Sequence, residues 1–388
     1  MVAGDSRLMN IVNYEVNLYL NGALIGDCRR IAENLTYCRR RTKIGADSID
    51  FMVNDVLLNR WCEARHISIN DILKPLALEC RIVRNGVELL GGFLATMPSY
   101  TPLQTSADLG LHFDGFLNLL SGVYIRDTST NLPLGDISGQ AGTMVSNMIQ
   151  LANVISNNAG KSYGFVAGDI DTMDSIDQTF NNYKTVKDFI CDRCDNATGA
   201  GPFDVYFHAD KTYDIKIANN FGDVITDWVA NYPTILNAPS ATSIQAAEVN
   251  GFASAIIGLG AGEVSANAEE NTVLYRFDSD SQSVLDYGYF EELYQESSIS
   301  TGTILERNIS AKLFNDSNPV WKPEITLHGK QVEPKPTGTH KIWIGDIITI
   351  NNTEDLTGMT NGNFKVNELT VSVSAAGDEV ITPVLERV

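Results

Sequence analysis

Residues 76–97 read LALECRIVRNGVELLGGFLATM, and the reading of this stretch decides the fold. At its centre stands Asn85-Gly86. Asn-Gly is the pair favoured in a two-residue type I′ turn, because both central residues take φ > 0 there. Such a turn sets the register of a β-hairpin. Arg84 falls opposite Val87, Ile82 opposite Leu89, Cys80 opposite Gly91, Leu78 opposite Phe93 and Leu76 opposite Ala95. Beyond Arg84, that face of the ribbon is apolar. The other face carries Glu79, Arg81 and Glu88 beside Ala77, Val83, Leu90 and Leu94. A half-buried antiparallel sheet has this pattern, with one face in a core and the other meeting a neighbour or water. A bulge at Gly91-Gly92 would move every pairing beyond it by one residue.

Composition bounds the rest. A chain of 388 residues accommodates two to four domains at roughly 100–200 residues each. Apolar residues make up 44 % and charged residues 20 %, with Gly, Ser, Thr and Asn plentiful, as in turn-rich β folds. A net charge of −20 argues against non-specific nucleic-acid binding, which needs Lys and Arg on phosphate. Cys28, Cys38, Cys62, Cys80, Cys191 and Cys194 are too sparse for a disulfide framework and read as reduced, buried thiols. The N-terminus MVAGDSRLMN lacks the apolar run of a signal peptide, and no stretch approaches the roughly 20 apolar residues of a membrane helix.

Taken in order, the chain divides into three. Residues 1–126 read as an antiparallel β-barrel or sandwich. A first hairpin turns at Asn21-Gly22, and Ile49, Phe51 and Val53 alternate as a strand. Asn59–Leu73 is ambiguous, and Leu109, Leu111 and Phe113 precede a Phe116–Leu120 apolar cluster. Residues 127–239 read as an α+β insert. Its helices are expected over Ala141–Asn157 and Asn182–Asn196, the second capped by Thr185. After Gly199–Pro202 comes a hairpin of Asp204–His208 and Thr212–Ala218. Residues 240–388 read as a second β module. Ser243–Leu259 opens it, 276–300 is acidic and part helix or loop, and 304–314 leads to a strand near Trp321. Trp343–Ile350, an Asn361-Gly362 turn, Phe364–Val373 and Glu379–Arg387 complete it. The expected fold class is therefore mainly β with an α+β insert: two antiparallel β-barrel or sandwich modules flanking a small α+β domain.

No catalytic motif stands out. Cys191-Asp-Arg-Cys194 lacks the second ligand pair of a zinc site and the βαβ setting of a redox site. His66, His112, His208, His328 and His340 are scattered. Glu269-Glu270, Asp278 with Asp280, and Glu291-Glu292 match a glycosidase pair no better than chance among 48 acidic residues. Gly258-Leu-Gly-Ala-Gly262 lacks the Lys-Ser/Thr of a P-loop, and Asp169, Asp171, Asp174 and Asp177 lack the Gly and Glu of an EF-hand. No catalytic residue, cofactor or metal is expected, and the chain reads as a non-enzyme. The basic cluster Arg29, Arg30, Arg39, Arg40, Arg41 and Lys43 demands carboxylates, either on a neighbouring subunit or within the chain.

Two β modules flanking an α+β insert resemble the baseplate and tail-tip hub family of phage tails, and the tube-side half of type VI secretion spike hubs. Arg84-Asn-Gly-Val-Glu-Leu-Leu-Gly-Gly-Phe-Leu94 is similar to the family's tube-module hairpin. Tyr183–Ile190 with Phe203–Phe207 and Lys211–Ile217 resembles its insert, although Ala209-Asp210-Lys211 departs from the usual Asp-Gly turn. Ile344–Ile350, Val366–Val373 and Gly377–Leu385 resemble the end of its second tube module. The resemblance implies two tube-like barrels per subunit and a homotrimeric ring. The ring would extend the sixfold tail tube and adapt it to a threefold tip in the virion. A distal tail or tail tube protein ring would sit above and a central spike or fibre protein below. The tape-measure protein and genomic DNA would pass through an acidic lumen without specific binding, since an acidic wall repels phosphate. The peptidoglycan-cleaving domain of some relatives is expected on another polypeptide. Subunit or ring contacts are expected at the basic cluster and at Glu79, Arg81, Asn85, Gly86 and Glu88. The rival readings are a receptor- or carbohydrate-binding tip protein and a tail-associated peptidoglycan hydrolase. Trp61, Trp228, Trp321 and Trp343 are too dispersed for one sugar platform.

Overall fold

The computed structural model describes residues 12–102, 107–180, 182–196, 203–217, 221–233, 239–248, 252–262, 272–297, 299–317, 321–338, 340–355 and 360–388. The N-terminal 11 residues, the turn expected at 199–202 and the acidic pair at 269–270 lie outside them.

The first module contains β1 (Tyr14–Leu20), β2 (Ala23–Asp27), β3 (Ala32–Arg40), β4 (Ser48–Asn54), α1 (Asp55–Glu63), α2 (Ile69–Ile72), β5 (Leu78–Arg84), β6 (Val87–Leu94), β7 (Ser99–Pro102) and β8 (Ala107–Gly115). Their spatial order is β3-β4-β8-β6-β5-β1-β2, with β7 also on β8. Both Asn-Gly turns form, with φ of 51° and 82° at Asn21-Gly22 and 49° and 79° at Asn85-Gly86. The ambiguous stretch Asn59–Leu73 holds the second half of α1 and all of α2. The Asn54 side chain caps α1 by accepting from Val56 N, and Leu58 and Cys62, one turn apart, enter the core.

The opening hairpin departs from its expected register. Arg84 pairs with Val87, but Ile82 pairs with Leu90, Cys80 with Gly92 and Glu79 with Phe93, because a bulge falls between Ile82 and Val83. Its extra residue is Leu89, two positions before Gly91. A one-residue slip exchanges the faces. Leu90 and Leu94 therefore enter the barrel core with Ile82 and Leu78, while Phe93 joins the core of the insert. Leu76 leaves the ribbon with φ +64° and is exposed.

The insert contributes β9 (Gly135–Gln140), α3 (Ala141–Asn158), β10 (Val166–Ile170), β11 (Ser175–Phe180), α4 (Val186–Asn196), β12 (Phe203–Phe207) and β13 (Thr212–Ile217). Thr185 caps α4 as expected, its hydroxyl accepting from Asp188 N at 3.0 Å. The insert has its own core, with Met144, Ile149, Phe189, Phe203 and Tyr213 packed against Phe93 and Phe116 of the first module. This packing covers the second face of the hairpin. A Cβ on Gly91 would stand 2.8 Å from the Ala209 carbonyl. The face expected to meet a neighbour or the lumen is thus largely dry.

The remaining elements are β14 (Ala230–Tyr232), β15 (Ala241–Glu248), β16 (Ala255–Leu259), β17 (Tyr275–Ser279), α5 (Ser281–Tyr287), β18 (Glu291–Gln295), α6 (Gly302–Asp316), β19 (Trp321–His328), β20 (Glu333–Pro334), β21 (Lys341–Ile342), β22 (Ile347–Asn352), β23 (Gly362–Val373) and β24 (Glu379–Arg387). Strands run in the order β15-β19-β24-β23-β22-β14, and an isolated Asn231–Ser240 bridge brings β14 back beside β15. Residues 223–232 already pack with this module, since Ile225 N donates to Ile347 O at 2.9 Å. Ser243–Leu259 is two strands in different sheets. The second of them opens a small lobe of β16–β18 and α6 with its own core, in which Leu305, Ile309 and Leu313 recur one helical turn apart.

The two β modules do not stand apart. β23 pairs with β3 from Glu368–Arg40 to Val373–Leu35, so their strands form one continuous sheet. One core lies behind it, with Tyr37, Ile49, Phe51 and Phe113 beside Leu369, Val371, Ile381 and Leu385. At roughly 1.5–3 kcal/mol for each fully buried side chain of this size, parting the modules would be costly.

Candidate functional site: a polar sheet face crossing both modules

Strand alternation sorts every residue near the seam to one of two faces. Leu35 and Tyr37 of β3, Ile49, Phe51 and Val53 of β4, Leu109, Leu111 and Phe113 of β8, and Leu369, Val371 and Val373 of β23 face the core. Their neighbours face the other way and align in cross-strand rows. One row runs Val380–Ser372–Thr36–Asp50–His112, and the next runs Thr382–Thr370–Cys38–Ser48–Asp114. Each spans five strands of both modules without a break. At about 4.8 Å between strands, a row is about 19 Å wide.

Apart from Val380 and Cys38, these rows carry hydroxyls, carboxylates and the His112 imidazole. Thr36 and Ser372 hydroxyls lie 3.3 Å apart across the seam. His112 bridges two acids, with Nδ1 2.6 Å from Asp50 and Nε2 3.0 Å from Asp114. Partial burial opposes the imidazolium, but these two carboxylates outweigh it and raise the His112 pKa above its usual value. Beside these rows, Arg40 pairs across the seam with Glu368, its Nε donating to Oε2 at 2.8 Å, so this cation is neutralised.

Behind the face, buried arginines fasten the parts together. Arg39 is fully buried, and its Nη1 meets Asp47 while Nη2 donates to Phe207 O at 2.7 Å. Its guanidinium lies 4.0 Å over the Tyr206 ring of the insert and 5.8 Å from the Trp343 ring of the second module. Arg41 grips Asp204 of the insert through Nε and Nη2 at 2.9 and 2.7 Å, and its Nη1 donates to Asn367 of β23 at 2.9 Å. Arg84 makes a bidentate pair with Glu379 at 2.7 and 2.9 Å, and the Tyr14 hydroxyl donates to the same carboxylate. Burial and the neighbouring Tyr37 and Glu379 push the Tyr14 pKa far up, so its hydroxyl keeps its proton and donates. Guanidinium suits these places because its planar fork serves several acceptors at once.

The expected contact residues divide accordingly. Arg39, Arg40, Arg41 and Lys43 each meet a carboxylate of their own chain, Lys43 at Glu386 over 2.8 Å. Arg29 is half-buried and donates to the Ala32 and Ser374 carbonyls, while Arg30 is exposed. On the hairpin, Glu79 is buried against Lys211 of the insert at 2.5 Å. Arg81 lies over the Tyr19 ring and pairs with Glu88 at 3.5 Å. Asn85, Gly86 and Glu88 stay exposed. Sequence reasoning missed Asp204, Glu368 and Glu379, since no local pattern marks partners as far as 328 positions away, the separation of Arg40 from Glu368. It also missed Asp47, eight residues from Arg39, which no motif marks as a partner.

The other motifs are absorbed by structure. Asp280 caps α5, Asp278 accepts from Ser310, and Glu292 pairs with Lys312. Lys216 occupies the Asp169–Asp171 site. Cys194 is buried and Cys191 half-buried on α4, both as free thiols. Among the described residues, no three His, Cys, Asp or Glu side chains converge to hold a metal ion.

No protein-family model and no curated protein matches the chain. Solved structures do. The 43 kDa tail protein of prophage MuSo2 from Shewanella oneidensis superposes with a TM-score of 0.61 at 10 % identity, over 97 % of this chain and 98 % of that one. A tail protein from Neisseria meningitidis MC58 gives 0.59 at 13 % identity, over 97 % of both chains. Prophage tail protein gp18 from Listeria monocytogenes EGD-e gives 0.53 at 9 % identity, over 95 % and 94 %. Over nearly its whole length the chain thus shares the fold of phage tail proteins, the likeness its sequence pattern led us to expect.

Proposed function

We propose that the chain is a structural tail-tip hub protein that forms part of the wall of a phage tail tube. Three copies close a ring, and each contributes two fused β modules. The ring continues the sixfold tube above and meets a threefold spike or fibre below. The observation that carries this reading is the unbroken polar face across the seam. Core lies on one side of the sheet, and on the other lie hydroxyls and carboxylates in rows that ignore the boundary between modules. Turned inward, such a face lines a channel. Its carboxylates repel nucleic-acid phosphate, and its few cations are already paired, so DNA and the tape-measure protein pass without sticking. Net charge of −20 suits the same role.

The reading assigns no catalysis. A sugar-binding platform built on tryptophan is not favoured, since Trp228 and Trp343 are in the core. The exposed Arg30 and the hairpin tip at Asn85, Gly86 and Glu88 are the parts of the expected contact set that a neighbouring subunit or ring would meet.

Cryo-electron microscopy of particles carrying a tagged chain tests the proposal. A ring of three copies at the tail tip, with Asp50 and His112 facing the lumen, is expected. A chain absent from particles, or a ring with the opposite sheet face inward, would overturn it.

A further inference from the structure

The lobe formed by residues 252–317 is half covered. It stands at the end of the β15–β19 ladder, where Glu248 pairs with Trp321. The inner face of its sheet packs on α6, and a Cβ on Gly258 would meet Ile309 at 2.6 Å. Among the described residues, nothing covers the outer face. Phe277, Ile257 and Leu293 form one cross-strand row, and Tyr275 and Leu259 begin the next. Tyr275 is 49 % exposed, Phe277 44 % and Leu293 54 %. A contiguous apolar sheet face of this kind marks a protein contact.

Charge says what covers it. The lobe's described residues include eight Asp and Glu against three Lys and Arg. Lys312 is held by Glu292 and Asp316, and Arg276 turns back to the Tyr275 carbonyl. The apolar rows therefore sit in an acidic field. A second copy fits poorly, since this chain is itself strongly acidic and most of its basic cluster is engaged by its own carboxylates. We infer that the outer face of this lobe docks a different protein, one presenting an apolar patch ringed by Lys and Arg. The inference rests on the tail-protein reading and adds a partner chemistry to it.

The test places a photo-reactive benzoylphenylalanine at position 293 of the full chain, in assembling particles. The expected result is a cross-link to one other tail polypeptide, within a segment rich in Lys and Arg. Binding of that polypeptide, purified, should fall on the order of tenfold for Phe277→Ser, and again for Glu291→Lys at low salt. Both side chains are exposed, so each variant should melt with the wild type. A cross-link to a second copy overturns the inference, as does none from particles that contain the chain, or unchanged binding by both variants. Particles that lack the chain altogether overturn the tail reading as well.

Discussion

The Arg84–Glu379 pair ties the first module to the last strand, and its removal can be worked through quantitatively. Both side chains are nearly inaccessible, at 2 % and 1 %, and they share two hydrogen bonds. Arg84→Met leaves the Glu379 carboxylate buried with the Tyr14 hydroxyl as its remaining side-chain partner. Stranding a buried charge costs about 3–5 kcal/mol. With a urea m-value of about 3 kcal/mol per M, a loss of about 4 kcal/mol lowers the unfolding midpoint by about 1.3 M. Glu379→Met should cost a similar amount for the converse reason. The double variant should cost less than either single, about 2 kcal/mol or below, because no charge is then stranded. Tyr14 keeps a partner in Tyr37, 3.1 Å away. Urea titration followed by tryptophan fluorescence reports the outcome, since Trp228 and Trp343 are buried in the second module. If the double variant costs as much as the two singles together, the pair is not acting as a coupled buried charge and the reasoning fails.

Other outcomes follow from the same geometry. Gly92→Ala drives a Cβ to 2.5 Å from the Asp114 carbonyl and should cost about 1–3 kcal/mol in thermal unfolding. Gly22→Ala, in an open turn with φ +82°, should cost less, about 1 kcal/mol, from backbone strain alone. His112 binds its proton more tightly folded than unfolded. Its contribution is therefore complete below the unfolded pKa of about 6.5 and disappears as pH rises through the folded value. The stability gap between wild type and His112→Asn should narrow from pH 5 to pH 9, and a gap independent of pH would contradict the Asp50–His112–Asp114 bridge. Burial pushes the Cys38 thiol up to about 12, and Cys28 and Cys80 are also shifted upward by burial. A thiol reagent at pH 8 should therefore label Cys191 first and the other five only on unfolding, as mass spectrometry of the labelled protein would reveal.

Much of this was legible in order along the chain. Two Asn-Gly pairs placed two hairpins, because a type I′ turn is a local demand on φ. The third, Asn361-Gly362, is no such turn, since φ is positive at Gly362 but not at Asn361, and Gly362 opens β23 opposite Ile350. Strand periodicity in Ile49, Phe51 and Val53, and again in Leu109, Leu111 and Phe113, named the core face correctly, because alternation is a property of the strand itself. The helices of the insert and the Thr185 cap were legible for the same reason. Reading Leu305, Ile309 and Leu313 at helical spacing would have found α6 too.

What tertiary structure alone decided lies between segments far apart in sequence. The bulge at Leu89 exchanged the faces of the hairpin beyond it. Whether a ribbon slips by one residue depends on what packs against each side, and here the insert supplied a second dry surface for Phe93 and Gly91. The β3–β23 pairing fused two modules that read as separate, because edge strands reveal nothing of their partners until the cores behind them meet. Arg39, Arg41 and Arg84 read as a surface cluster and a turn residue. They are buried, because Asp47, Asp204 and Glu379 converge on them only in three dimensions. The sequence by itself determined the strands, the turns and the excess of negative charge. The tertiary structure decided which face stayed wet, since that follows from what covers each surface.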